Sequence, residues 1–395
     1  SNSSTLSNNT ITTSGSTSHG ISLSSSNSST LSNNTITTSG STSHGISLSS
    51  SNSSTLSNNT ITTFGTNSYC VYLNFSSNNI LNNNKANSSK SNSYVIYGTI
   101  SSDFNNTIGL DNLAEGKPVN YTYNADNLVF NGVDFTQYGQ VIFSWSRNIT
   151  ITNSNFSDDS LNLFYTNTSI ISNNNINSTK GYGIYLYSSS NSNTFLNNTI
   201  TTSGGDGYGI ILQSNSNNNV FSKMNIKTSS TNAYAIYIYG NNSFTINDSI
   251  LNSSLVQEIY VESAVAGGVW NFTNLTRANG NYVNISWTSG SVGTMNVHWY
   301  VTVNVTELFM RTVLPDANVT LRDRNNLSVF NLLTDSNGSI TPRAVLEYSR
   351  NSTLTNYFTP HNLNVTLANY TGYYNSTINL SILLNHQINV QIIDL

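Results

Sequence analysis

Leu6, Leu31 and Leu56 stand 25 residues apart, as do Ile11, Ile36 and Ile61, then Ile21, Ile46 and Val71, then Leu23, Leu48 and Leu73. Asn, Ser and Thr fill the positions between. Residues 1–25 recur unchanged at 26–50, and a third copy starts at Ser51 and diverges from Phe64. Gly183-Ile184-Tyr185-Leu186, Gly209-Ile210-Ile211-Leu212 and Ala235-Ile236-Tyr237-Ile238 keep the pattern 26 residues apart, as do Phe195 and Phe221, and Ile200 and Ile226; Ile259 and Val261 extend it. Ile-x-Leu has period two, so both side chains point to one face of a strand. Such short strands make a core only when coil stacks on coil, parallel and in register, about 4.8 Å apart. The expected fold is therefore all-β. Residues 1–293 form a right-handed parallel β-helix of 22–26-residue coils, with Ile184, Ile210 and Ile236 in one interior column. The hand follows from the crossover rule for parallel strands. At about 4.8 Å per coil, the stack is expected to be roughly 55–60 Å long.

Asn tolerates the left-handed backbone of tight corners, and stacked amides can hydrogen-bond as ladders along the axis. Asn9, Asn34, Asn59 and Asn198 are candidates. The identical first coils carry few large apolar residues, so they are expected to be the weakest part of the stack and to depend on the richer coils beyond Phe64. From Met295 the pattern changes. Val297–Val305 alternates as one long strand, Ala317–Leu321, 363–368 and 387–393 follow, and Asp335-Ser336-Asn337-Gly338 reads as a turn. Short strands between turn signals predict a β-sandwich over 294–395.

Only 8% of the 395 residues are charged, with a net charge of −4, which gives no electrostatic footprint for nucleic acid. No apolar run approaches the roughly 20 residues that span a bilayer. The single cysteine, Cys70, excludes an internal disulfide. N-x-S/T triplets recur throughout, with acceptors at Asn8, Asn33, Asn58, Asn74, Asn120, Asn148, Asn155, Asn177, Asn197, Asn247, Asn271, Asn284, Asn304, Asn318, Asn337, Asn351 and Asn375. N-glycans would suit an uncharged surface as its solubilising layer and would place the chain outside the cell. Residue 1 falls inside a repeat, so the chain is expected to be a processed form or part of a longer one.

G-I-x-L, S-x-S-N and N-N-T-I elements at this spacing resemble the NosD-like, pectate-lyase-like right-handed β-helix repeat. Glu115-Gly116-Lys117-Pro118-Val119-Asn120-Tyr121, Gly139-Gln140-Val141-Ile142 and Asn148-Ile149-Thr150-Ile151-Thr152-Asn153 resemble a segment common in archaeal surface β-helix proteins. The resemblance covers about residues 1–293; it is specific for fold and weak for function. The C-terminal part resembles the carboxypeptidase-regulatory-like, immunoglobulin-like modules that follow β-helices in such proteins.

The resemblance also brings in polygalacturonases, which hold Asp residues on neighbouring coils near a Gly-His-Gly. Asp158-Asp159-Ser160-Leu161-Asn162-Leu163 resembles the Asp-Asp element, but Gly181-Tyr182-Gly183 puts Tyr where His would stand, and Val141-Ile142-Phe143-Ser144 on the preceding coil has no Asp. Glycoside hydrolysis needs paired carboxylates, so a lone Asp pair reads as a polar turn. His19 and His44 repeat without any carboxylate on their coils, and Tyr69 replaces them in the third copy. Stacked side chains are the simpler reading than an incomplete metal site. Cys70, in the place of Gly20 and Gly45, reads as a packed thiol. Asp103, Asp111, Asp126, Asp134, Asp206 and Asp248 are too scattered for a calcium cluster, and Asp335–Gly338 lacks the downstream ligands of a calcium loop. Tyr182, Tyr185, Tyr187, Tyr208, Tyr234, Tyr237 and Tyr239 are expected to form either an exposed strip for a sugar or a subunit, or cross-strand stacks within the sheet.

No catalytic, cofactor or metal residue is expected. The sequence points to an N-glycosylated structural subunit of a cell-surface filament, sheath or layer. The alternatives are a carbohydrate-binding or polysaccharide-degrading β-helix and an adhesin with a β-helical stalk. Open coil ends invite further chains, so a homopolymer is expected in which Ser1–Ser25 meet a neighbouring subunit, for instance its 296–395 region; a capping segment ahead of residue 1 is the other possibility.

Overall fold

The computed structural model describes residues 3–205, 207–231, 233–253, 257–262, 268–380 and 386–395. They are almost entirely β, with one short 3-10 turn at Ser101–Phe104. Two compact units separate, one of residues 1–244, 250–266 and 283–291, the other of residues 245–249, 267–282 and 292–395.

In the first unit each coil contributes up to three short strands. Thr5–Ser7, Thr30–Ser32, Thr55–Ser57, Ile80–Asn82 and Thr107–Ile108 pair in parallel, copy on copy. Thr10–Thr13, Thr35–Thr38, Thr60–Thr63, Lys85–Ser88 and Leu113–Ala114 make a second ladder. Ile21–Ser24, Ile46–Ser49, Val71–Asn74 and Tyr94–Tyr97 make a third. The expected interior columns are present: Leu31, Leu56, Ile36, Ile61, Ile46 and Leu48 are all within 1% of full burial. Leu6 and Ile11 of the first coil stay half-buried. The amide ladder is longer than expected. Asn9, Asn34, Asn59 and Asn84 each donate from backbone N–H and Nδ2 to the Oδ1 of the next, ending on Asn112, at 2.9–3.2 Å. Asn174 donates likewise to Asn198.

The stack is not one run. Glu115 and Gly116 both have positive φ (51° and 83°), the geometry of a two-residue type I′ hairpin. Through it Leu113–Ala114 pairs antiparallel with the start of Lys117–Tyr123. A second stack then grows from Lys117–Tyr123 through Gln140–Ser144, Leu161–Phe164, Ile184–Tyr187, Ile210–Gln213, Ile236–Tyr239, Ile259–Glu262 and Ile285–Trp287, all parallel. Ile184, Ile210 and Ile236 are direct ladder partners with no exposed surface, as the spacing predicts. They belong, however, to a different sheet from Ile21, Ile46 and Val71.

The second stack runs back beside the first, outer face to outer face. Phe104 meets Trp145 and Tyr165, Ser93 meets Asp159, Tyr97 meets Tyr187, and Tyr69 meets Tyr185. Residues that a lone solenoid would expose are therefore core: Val95, Ile142, Asn162, Tyr185 and Ile211 are at most 3% exposed. Gln140 acts as a piece of strand edge, its amide donating to Tyr94 O at 2.7 Å and accepting from Tyr94 N at 2.9 Å. This packing corrects the exposed tyrosine strip. Tyr182, Tyr185, Tyr187, Tyr208 and Tyr237 are buried, Tyr234 is half-buried, and Tyr239 alone of the seven is exposed.

In the second unit Thr294–Glu307 pairs with Val269–Thr273 and His386–Ile392 in parallel and with Arg343–Arg350 antiparallel. Every second residue of this strand is buried. A four-stranded antiparallel sheet runs Ser328–Leu333, Asn318–Arg322, His361–Thr366, Tyr373–Ile378. On Arg343–Arg350, Glu347 accepts from Trp299 Nε1 at 2.5 Å and Tyr282 Oη at 2.7 Å.

If the two stacks share a core, Tyr185→Ala should cost about 3–5 kcal/mol, the range for emptying a buried aromatic site. The same truncation at Tyr239, 39% exposed on the same sheet, should cost well under half as much. Equal shifts in denaturant midpoint would contradict the side-by-side packing.

Candidate functional site

The corner before Leu161–Phe164 carries Asp158 and Asp159, and both side chains are engaged. Asp158, at φ 56°, forms an ion pair with Lys117 at 2.7 Å. Its Oδ1 accepts from Thr179 Oγ1 at 3.0 Å and its Oδ2 from Ser157 Oγ at 3.1 Å. Lys117 is fixed in turn by Thr136 O and Ser157 Oγ. Asp159 has no exposed surface. Its Oδ2 accepts the Ser93 N–H of the other stack at 2.8 Å, while Oδ1 has no hydrogen-bond partner. Burial, and then the nearby Glu115 charge, hold its carboxyl well above the usual range. Glu115, from the reversal hairpin, accepts Ser88 N at 2.5 Å and Ser93 Oγ at 3.3 Å and is itself raised by burial.

Tyr182, in the histidine's place, is 2% exposed and stacks on Tyr208 with ring centroids 5.6 Å apart. Its N–H donates to Asn92 Oδ1 of the first stack. The second stack thus brings Asp158 and Asp159 close to Glu115, and the first stack covers Asp159 and Tyr182. Asp159 shows no atom to solvent, whereas Asp158 is half-buried. Sequence reading missed Glu115, Ser93 and Gln140. The available signal was the outward residue of the G-I-x-L strands, which passes from Ser22 and Ser47 to Tyr72 and Val95, and on the other stack to Ile142, Tyr185 and Ile211.

His19 and His44 stack with centroids 4.9 Å apart, and His44 stacks on Tyr69 at 5.1 Å. Each Nδ1 accepts the backbone N–H of the next coil's residue, His44 N at 3.0 Å and Tyr69 N at 3.1 Å. The rings extend the ladder rather than open toward an ion. Burial, with a smaller push from His19, lowers His44 to about 3. Cys70 is fully buried against Thr63, and burial pushes its thiol up.

The scattered aspartates hold turns. Asp103 Oδ2 caps Thr99 and Ile100 N–H, Asp111 takes Asn83 N–H, Asp126 pairs with Arg147, and Asp134 takes Thr136. In the second unit Asp248 accepts from Asn274. Asp206 lies outside the described residues. Asp335 Oδ1 accepts Asn337 and Ser339 N–H, and Gly338 sits at φ 70°, so this segment closes on itself as a turn.

Two pH effects of opposite sign follow. His44 resists protonation when folded, so below about pH 6.5 the unfolded chain takes up a proton that the fold refuses, and stability falls down to about pH 3. Replacing His44 by Asn, which keeps an acceptor, should flatten that acid limb in urea melts. Asp159 has a raised pKa when folded, so it costs stability as pH rises above the ordinary carboxylate range. Asp159→Asn should leave the fold as stable or more stable at pH 8, and a loss of several kcal/mol there would show that the ionised carboxylate is needed.

A family model described as "right handed beta helix region" matches residues 1–156 and 120–251. No curated protein matches the sequence at a significant level. The matched segments together run through more than half of the 395 residues, over the same span in which strands pair coil on coil. The chain belongs to the right-handed β-helix family.

Proposed function

We propose that the chain is an extracellular structural protein, an N-glycosylated subunit of a cell-surface filament, sheath or surface layer built from copies of itself. The reading rests chiefly on where the reactive groups go. Asp159 and Cys70 are buried, Glu115 and His44 are half-buried and hydrogen-bonded within the fold, and the outward corners carry mainly Asn, Ser and Thr. Hydrolase or lyase chemistry has no place in this reading, since Tyr182 stands in the family histidine's position and is buried with Asp159. The NosD-like, archaeal type and an immunoglobulin-like nature for 294–395 are part of the same proposal, supported by the G-I-x-L repeat and by the two sheets of the second unit.

Nine of the acceptor asparagines are exposed: Asn8, Asn33, Asn58, Asn148, Asn155, Asn177, Asn197, Asn284 and Asn337. Asn8, Asn33 and Asn58 sit at the same left-handed corner of successive coils, about 4.8 Å apart. A glycan on each would collide with the next. In this reading residues Ser1–Ser25 meet a neighbouring subunit, a heterologous contact that propagates into a filament when it does not close.

Electron microscopy of native material should show filaments or a lattice, whereas dispersed single particles at every concentration would contradict the assembly. Native intact mass should exceed the 43.0 kDa of the polypeptide, with at most two of Asn8, Asn33 and Asn58 occupied; a bare mass would count against both glycans and surface location. Incubation with polygalacturonate should release no unsaturated or reducing ends. Product formation that Asp159→Asn abolishes would overturn the structural reading.

A further inference from the structure

The corner that follows each G-I-x-L strand requires a left-handed residue. In the second stack, successive coils place Asn124, Trp145, Tyr165 and Ser188 there, all with φ between 48° and 53°. Asn and Ser suit that backbone, whereas bulky aromatics are uncommon in it. Trp145 and Tyr165 nevertheless stack on one another with centroids 4.0 Å apart and planes 25° apart. Phe104 supports the pair from the side, 6.0 Å from Trp145. Ladder register sets Asn124 on the coil before Trp145 and Ser188 on the coil after Tyr165, so the aromatic pair projects as a shelf between two small residues.

Beside this shelf lies an open groove of about 550 Å³ lined by Asp126, Arg147, Asn167 and Thr168 as well as the two rings. Its volume falls in the range of small-molecule sites. Arg147 pairs with Asp126 at 2.9 Å and is 70% exposed, so the groove's charges cancel. A ring shelf meets the apolar C–H face of a pyranose, and the ion pair, amide and hydroxyl meet its hydroxyls. An anionic uronate would find no unmatched cation.

We propose that Trp145 and Tyr165, with Arg147, Asp126 and Asn167, form a binding site for neutral saccharide. It lies at the other end of the Leu161–Phe164 strand from Asp158 and Asp159 and involves no bond cleavage.

The test is calorimetric titration of the whole chain with hexaoligosaccharides of glucose, mannose, galactose and N-acetylglucosamine, alongside hexagalacturonate and a proline-rich peptide. At least one neutral saccharide should bind, and Trp145→Ala should weaken it about tenfold or more. Because Trp145→Ala can loosen the packing on Phe104, a second variant, Asn124→Trp, covers the open ring face from an exposed position. It should abolish binding while the protein keeps one cooperative thermal transition, its midpoint lowered only by the strain of an aromatic at φ 53°. Failure of every neutral sugar to bind, tighter binding of galacturonate or of the peptide, or full affinity in the Asn124→Trp protein would overturn the site.

Discussion

Like stacks on like: each coil lies about 4.8 Å from the next, in register, so almost every side chain faces a neighbour in the equivalent position. That constraint selects the composition. A column of identical charges would repel along its length, and the chain carries only 8% charged residues. Side chains that attract their own kind take the positions instead. Isoleucines and leucines stack inside, asparagine amides pass hydrogen bonds from Asn9 through to Asn112, and histidine or tyrosine rings lie flat on one another. The same geometry limits modification, because a group added at Asn33 has its equivalents on the coils on either side.

The reversal at Glu115-Gly116 adds the second level of order. A solenoid with one polar outer face can stand alone, whereas here two outer faces are apolar or amide-bearing and cover each other. The buried acids belong to this contact. Asp159 and Glu115 converge on the Ser93 N–H and hydroxyl, and Gln140 completes the backbone of Tyr94. Of the two acids that resemble a catalytic element in sequence, Asp159 bonds across to the first stack, and Asp158 bonds within the second. Trp145 and Tyr165, both half-buried, sit at a corner near the start of the second stack.

The repeat, the interior columns and the amide ladder were legible because they depend on period alone. Ile184, Ile210 and Ile236 had to coincide once the 26-residue spacing was read. The hairpin was harder to see: Glu115-Gly116 was quoted as part of a family-like segment, yet nothing in two residues says whether a stack continues or turns back. The lateral packing left a trace in the outward strand positions, where serine gives way to tyrosine, valine and isoleucine. Tyr185 and Tyr237 also suited cross-strand stacking within a single sheet, so composition could not decide which face they covered. Asp159 looked like a turn residue by its neighbours, and only the fold shows it sealed by Ser93 from some 66 residues earlier.

The side-by-side arrangement is what seals the acid corner and buries the tyrosines. It can be tested directly by placing a benzophenone photo-cross-linker at Tyr72, beside Tyr69, whose hydroxyl lies 3.4 Å from that of Tyr185. The expected products join position 72 to residues 185–187 within one chain. Cross-links confined to the adjoining coils at residues 47 and 95 would contradict the reversal, and with it the account of the buried carboxyls.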